Sequence, residues 1–224
     1  MTKDKHTIRY WALSSGGKDS ILAMDLALEE GLKMDGILSF LAGKDSYLFH
    51  YPNVKWAPLQ ARSMNIPQRL IDGTGWRDLN QEKRGFKRVK KMLQKEGGGG
   101  LISGLIASNF QRRILKDLEV ELFLPLWGID QKEVLKLFLD KGYEGIITAV
   151  AAEGLDESFL GRKIDEELIK DLKTKRINPA GEGGEFETFV LDGPIFAKRL
   201  VIKRAKQVWE GDRGFLAIDE MDLS

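Results

Sequence analysis

The chain of 224 residues contains no cysteine. That absence excludes disulfides, a thiol nucleophile and a persulfide carrier. No excess of one charge is present either. With 35 Lys plus Arg against 34 Asp plus Glu, no global field draws the chain to nucleic acid or to an anionic membrane. No apolar run approaches the ~20 residues of a membrane span, and the opening MTKDKHTI lacks the apolar stretch of a signal peptide. These absences predict a cytoplasmic protein without a membrane partner, and they argue against nucleic acid. What remains is a length sufficient for one large domain or two small ones.

Against that background, residues 9–31, RYWALSSGGKDSILAMDLALEEG, stand out. Residues 8–13 are short, apolar and aromatic, as a buried strand is, while Ile21, Leu22, Leu26 and Leu28 recur with Ala23 and Ala27 at helical spacing. Residues 14–20 are therefore a strand-to-helix turn. Such a turn presents the unpaired N–H groups of a helix's first turn, and the positive end of its dipole, to an anion. Gly16 and Gly17 permit close backbone approach, Lys18 supplies a charge, and Ser14, Ser15 and Ser20 supply hydroxyls. A plain glycine turn with an ordinary N-cap would explain everything but Lys18. The commonest phosphate loops do not fit: Ala12 and Asp19 occupy the places where a Walker A loop needs Gly and Ser or Thr, and no GxGxxG spacing occurs.

Strand and helix patterns alternate after this turn. Strands are predicted at residues 34–43, 66–71, 101–108 and 121–128, with a basic helix at 79–96 and another helix ending at Leu118. The expected fold is α/β, a doubly wound parallel sheet with ligand at the carboxyl ends of its strands. A boundary is placed at Pro125, giving domains 1–125 and 126–224. The second is a smaller α+β unit with a helix at 132–141, a strand at 145–150, a loop at 154–162 and a polar helix at 165–175. Gly97 to Gly100 read as a flexible connector rather than a second phosphate cradle. Residues 83–95 hold seven basic side chains in thirteen, which as a helix suit a solvated face, RNA or an acidic partner.

The segment 178–196, NPAGEGGEFETFVLDGPIF, sets Glu182, Glu185 and Glu187 among glycines. Carboxylates so spaced can bind a metal, orient an ammonium, act as a base, or form a solvated acidic turn.

SGGKDS at residues 15–20 resembles the loop of the N-type ATP pyrophosphatases, the PP-loop superfamily, whose sheet is of the adenine nucleotide alpha hydrolase type. GEGGEFETFVLDGPIF resembles the signature of one branch, the diphthine-ammonia ligases. Four further stretches match that branch in order: DSYLFH at 45–50 followed by Asn53, IASNFQRRI at 106–114, LPLWGIDQ at 124–131 and AAEGLDESFLGR at 151–162. Asn109 and Phe110 stand where the family usually has Asp and Tyr, and the helix at 83–95 is basic where many relatives are acidic. The chain lacks the long C-terminal extension of eukaryotic relatives, which suggests the archaeal type.

The resemblance implies amidation of diphthine on elongation factor 2, with ATP cleaved to AMP and pyrophosphate through an acyl-adenylate. It implies ATP and Mg²⁺ as cofactors. Ser14, Ser15, Gly16, Gly17, Lys18, Asp19 and Ser20 would hold the nucleotide, with Lys18, Asp19 and Ser20 nearest the chemistry; no metal ligands are assigned. Asp45, Tyr47, His50, Asn53, Gln111, Arg112, Glu182, Glu185 and Glu187 would form the substrate side. Without cysteine, nitrogen is expected from free ammonia or a partner's product. A PP-loop enzyme acting on tRNA and an ATP-binding protein without turnover are the competing readings.

Overall fold

A computed structural model of the chain describes residues 4–42, 53–76, 78–95, 98–181 and 183–224. Five strands, β1 (Arg9–Leu13), β2 (Lys33–Ala42), β3 (Gln68–Gly73), β4 (Gly100–Ile102) and β5 (Glu121–Phe123), form one parallel sheet in the order β3-β2-β1-β4-β5. The order reverses between β1 and β4. Loops leaving those two strands therefore diverge and open a crevice at the carboxyl edge of the sheet.

Helices cover both faces, which is why the central strands are apolar throughout rather than alternating. On one face lie α1 (Lys18–Glu29) and α2 (Ala57–Ser63); α3 (Leu79–Lys95) and α4 (Asn109–Lys116) cover the other. Phe86, Val89 and Leu93 of α3 meet Trp11, Leu38 and Phe40 of the sheet, so the predicted basic helix has an apolar inner stripe. Its exposed side carries Arg84, Lys87, Arg88 and Lys91.

The second part contains α5 (Gln131–Asp140), β6 (Glu144–Val150), α6 (Glu166–Thr174), β7 (Phe186–Asp192), β8 (Leu200–Glu210) and β9 (Arg213–Leu223). Its strands form a separate antiparallel sheet, ordered β7-β6-β9-β8. One cluster of buried side chains nevertheless runs through both parts, joining Ile21 and Met24 of α1 to Leu135 and Phe138 of α5 and to Phe186 and Val190 of β7. The two sheets share a core.

Three sequence expectations change. The strand expected over 101–108 ends at Ile102, because the chain must turn inward at Gly104, where a Cβ would lie 2.3 Å from the carbonyl carbon of Asp19 in α1. The strand expected to reach residue 128 stops at Phe123. The helix α2, APLQARS, gave no sequence signal, since in seven residues only Ala57 and Ala61 are buried apolar side chains. Of the supposed glycine connector, Gly100 opens β4 and sits against the Tyr10 ring, where a Cβ would lie 2.3 Å away.

Candidate active site

The turn between β1 and α1 is fastened from beneath. The Ser14 amide donates to the Leu38 carbonyl at 3.0 Å, and the Ser14 carbonyl accepts from the Ser39 hydroxyl at 2.6 Å. Within the turn, Ser20 Oγ donates to the Gly17 carbonyl at 2.9 Å, which leaves Ser14 Oγ as donor in its 2.9 Å contact with Ser20 Oγ. Ser14 Oγ in turn accepts from the Gly16 amide at 3.1 Å. These two hydroxyls shape the loop. No side chain at its N-cap, Gly17, satisfies the first turn of α1.

Gly16 does not face the crevice. Its φ of +88° is left-handed, and a Cβ there would meet Gln60 Oε1 at 2.6 Å and the Phe189 ring at 2.7 Å. Its bareness serves packing inside the protein, a correction to the expectation that it admits a ligand. Gly17 does line the crevice.

The opposite wall is β7. The Val190 amide donates to the Gly16 carbonyl at 3.0 Å, and the buried Gln60 Nε2 donates to the carbonyls of both Gly16, at 3.0 Å, and Val190, at 2.6 Å. Lys18, only 3% exposed, is gripped at both ends. Its amide donates to Thr188 Oγ1 at 3.1 Å; its ammonium donates to Asp19 Oδ2 at 2.8 Å and to the Ala180 carbonyl at 2.5 Å, 5.6 Å from the centre of the Phe186 ring. The loop thus belongs to both parts of the molecule.

Between these walls lies a cavity of about 460 Å³. One end is polar, lined by Ser15, Gly17, Lys18, Asp19, Ser20 and Thr188; the other is apolar, lined by Leu38, Phe40, Phe86, Leu105, Ile114 and Leu115. Phe40 and Phe86 form a tilted aromatic pair with centroids 5.1 Å apart. A ligand with an anionic tail and a flat apolar head fits that polarity. The volume suits a small molecule.

Of the residues expected on the substrate side, Gln111 and Glu187 line this cavity. Arg112 does not: its guanidinium lies over the Trp127 ring at 4.2 Å. Asn53 is buried and structural, donating through Nδ2 to the Leu216 carbonyl at 2.9 Å and accepting at Oδ1 from the Ile218 amide at 3.4 Å, so it ties the turn before α2 to β9. Glu185 is not among the residues lining the cavity; its carboxylate accepts at 2.8 Å from the amide of Gly183, which does line it. Asp45, Tyr47, His50 and Glu182 lie outside the described residues. Among the described residues, no group of three or more His, Asp or Glu comes together as a metal cluster.

Sequence reasoning missed Thr188, Gln60, Ser103 and Gly104. Gly104 had a signal, since a glycine interrupting an apolar strand pattern marks a close backbone approach. Thr188 lay inside the quoted glutamate signature, overshadowed by its charged neighbours.

Models of two protein domains match the chain: the diphthamide synthase N-terminal domain over residues 8–123 and the diphthamide synthase C-terminal domain over residues 130–223. The chain belongs to the diphthamide synthase family. Relatives named diphthine--ammonia ligase include those of Rattus norvegicus, 28% identical across 97% of this chain and 91% of the relative, and Homo sapiens, 29% identical across 90% and 85%. The Schizosaccharomyces pombe relative is 30% identical over 90% of this chain, which spans 37% of that longer protein. Family membership covers both walls of the cavity: the loop and α4 come from the first matched region, β7 from the second.

Proposed function

We propose that the chain is a diphthine-ammonia ligase that activates the diphthine carboxylate of elongation factor 2 with ATP and amidates it with ammonia. The observation that carries this reading is that Lys18 and Glu187, one from each family signature, line one cavity.

The polarity of the cavity orients the nucleotide. Its base would rest against Phe40 and Phe86, and its phosphates would meet the amides of α1's first turn, the hydroxyl of Ser15 and the ammonium of Lys18. Mg²⁺ takes hard oxygen ligands; Asp19 brings a carboxylate to the polar end, and the metal would screen polyphosphate charge there.

A carboxylate is a poor acyl donor. One diphthine oxygen attacks the α-phosphorus of ATP, the α–β bridging bond breaks, and pyrophosphate leaves. Ammonia then attacks the acyl carbon; AMP departs with the carbon–oxygen bonding pair, and the nitrogen loses a proton to give the amide. The protein's part is positioning and charge stabilisation. Lys18 and the helix end stabilise the departing pyrophosphate, while Glu187 holds the trimethylammonium of diphthine or guides ammonia.

The test is incubation of the purified protein with ATP, Mg²⁺ and ammonium, with and without elongation factor 2 carrying diphthine. Mass spectrometry should find the amide, with AMP and pyrophosphate formed in equal amounts. Stoichiometric ADP and phosphate would overturn the proposal. One observation favours a second reading: the exposed basic face of α3 suits a tRNA substrate. Adenylation of tRNA with elongation factor 2 untouched would select it, and nucleotide binding without pyrophosphate release would mark a binding protein.

A further inference from the structure

The Thr188 hydroxyl carries one proton to donate and accepts hydrogen bonds through oxygen. Its oxygen accepts the Lys18 amide at 3.1 Å, and within the described residues Thr188 Oγ1 donates to nothing. The side chain lines the polar end of the cavity beside Ser15, Gly17 and Lys18. A β-branched side chain on a paired strand has little freedom at χ1, and β7 is held by β6 on one side and by the Val190 and Gly16 backbones on the other.

We propose that Thr188 is a phosphate-binding residue of the nucleotide site, supplied by the second part of the molecule and donating its hydroxyl proton to a phosphate oxygen in the cavity. The proposal rests on the ATP-dependent reading above and deepens it. Accepting an N–H from the positive end of α1 polarises the hydroxyl and makes it a better donor, since chained hydrogen bonds strengthen one another. The acceptor must offer a lone pair, and the neighbouring Lys18 ammonium and a helix end without a side-chain cap from Gly17 favour an anion. The residue before it, Glu187, also lines the cavity.

Calorimetric titration of the whole chain with inorganic pyrophosphate, ATP and adenosine, each with Mg²⁺ and without ammonium, tests this. Thr188→Val keeps shape and removes the hydroxyl. It should weaken pyrophosphate and ATP by about tenfold or more, the size of one hydrogen bond to a charged group, and leave adenosine unchanged. Thr188→Ser should restore both anions. A merely structural cap would lower thermal stability while leaving the ratio of pyrophosphate to adenosine affinity as in the wild type, which overturns the proposal. If Thr188→Val does not fold, Thr188→Ala is compared with Thr188→Ser on the same ratio. Pyrophosphate binding that ignores Thr188 sinks this inference alone; a wild-type chain that binds neither pyrophosphate nor ATP sinks the ligase reading with it.

Discussion

Gly104 presses on Asp19: a Cβ at position 104 would lie 2.3 Å from the Asp19 carbonyl carbon and 2.6 Å from the Ser20 amide nitrogen. Both are backbone atoms of α1's first turn, so nothing flexible can yield. Gly104→Ala should therefore push the loop after β4 and the turn between β1 and α1 apart. The expected cost is about 1–3 kcal/mol of folding stability, typical of overpacking, with weaker ATP binding. Denaturant unfolding and nucleotide titration both unchanged would mean that the two loops move independently.

Lys18 should carry charge stabilisation rather than fold stability. Its ammonium meets Asp19 and the Ala180 carbonyl with two of its three N–H donors, so one donor remains for a bound phosphate. Lys18→Met keeps most of the apolar length. It should reduce kcat/KM for pyrophosphate release by roughly 10- to 150-fold, equivalent to ~1.5–3 kcal/mol for a hydrogen bond involving a charge. A variant that turns over at the wild-type rate removes Lys18 from the mechanism.

Nitrogen supply gives a third expectation. With no cysteine in the chain, the usual thiol route to glutamine hydrolysis is closed. Ammonium alone should support amidation, and glutamine alone should not. The reverse pattern, read by mass spectrometry of the product, would require a nucleophile of another kind.

The seam between α1 and α5 predicts alkaline sensitivity. Burial alone would lower the Lys141 pKa, but its hydrogen bond to Glu29 and its ion pair with Asp25 outweigh that and hold it above the usual 10.5; the ammonium lies 2.6 Å from Glu29 and 2.9 Å from Asp25. Burial pushes the Tyr143 phenol up as well, with the Asp25 charge adding to it. Both groups thus keep protons that the unfolded chain loses first. Their stabilising contribution is complete below about pH 10 and falls as pH rises from the unfolded toward the folded pKa values. Thermal unfolding across pH 8–11.5 should show Tm dropping from about pH 10. Lys141→Met should flatten that fall while lowering stability at neutral pH, because it strands the buried Asp25; an unaltered slope would place the alkaline transition elsewhere.

The turn between β1 and α1 was legible because its pattern is local: strand, glycines, lysine and helix follow one another within a short stretch of chain. The alternation that predicted a doubly wound sheet was legible for the same reason. What escaped notice depends on pairing across distance. Lys18 and Thr188 are 170 positions apart, and Gln60 meets Val190 across 130. Gln111 and Arg112 are adjacent polar residues in one motif, yet the helical turn sends the first to the cavity and the second onto Trp127. Asn53 shows the same limit, since a buried asparagine holding two backbone groups of β9 resembles a ligand-binding one until its partners are known.

The three glutamates are expected to divide by position. Glu187 lines the cavity, whereas Glu185 does not and its carboxylate is engaged by the Gly183 amide at the rim, and Glu182 lies beyond the described residues. A carboxylate on the substrate side repels polyphosphate and attracts a trimethylammonium or an ammonium ion. Glu187→Gln, which keeps size and removes charge, should leave ATP affinity near normal and impair amidation of elongation factor 2, with the loss appearing in KM for the protein substrate if the group grips the trimethylammonium and in kcat if it guides ammonia. Glu185→Gln should change both parameters little, because an amide oxygen can still accept from Gly183. Loss of Mg-ATP binding in Glu187→Gln would instead make the carboxylate a metal ligand and reverse this division, and wild-type kinetics in that variant would leave Glu187 as a solvated wall of the cavity.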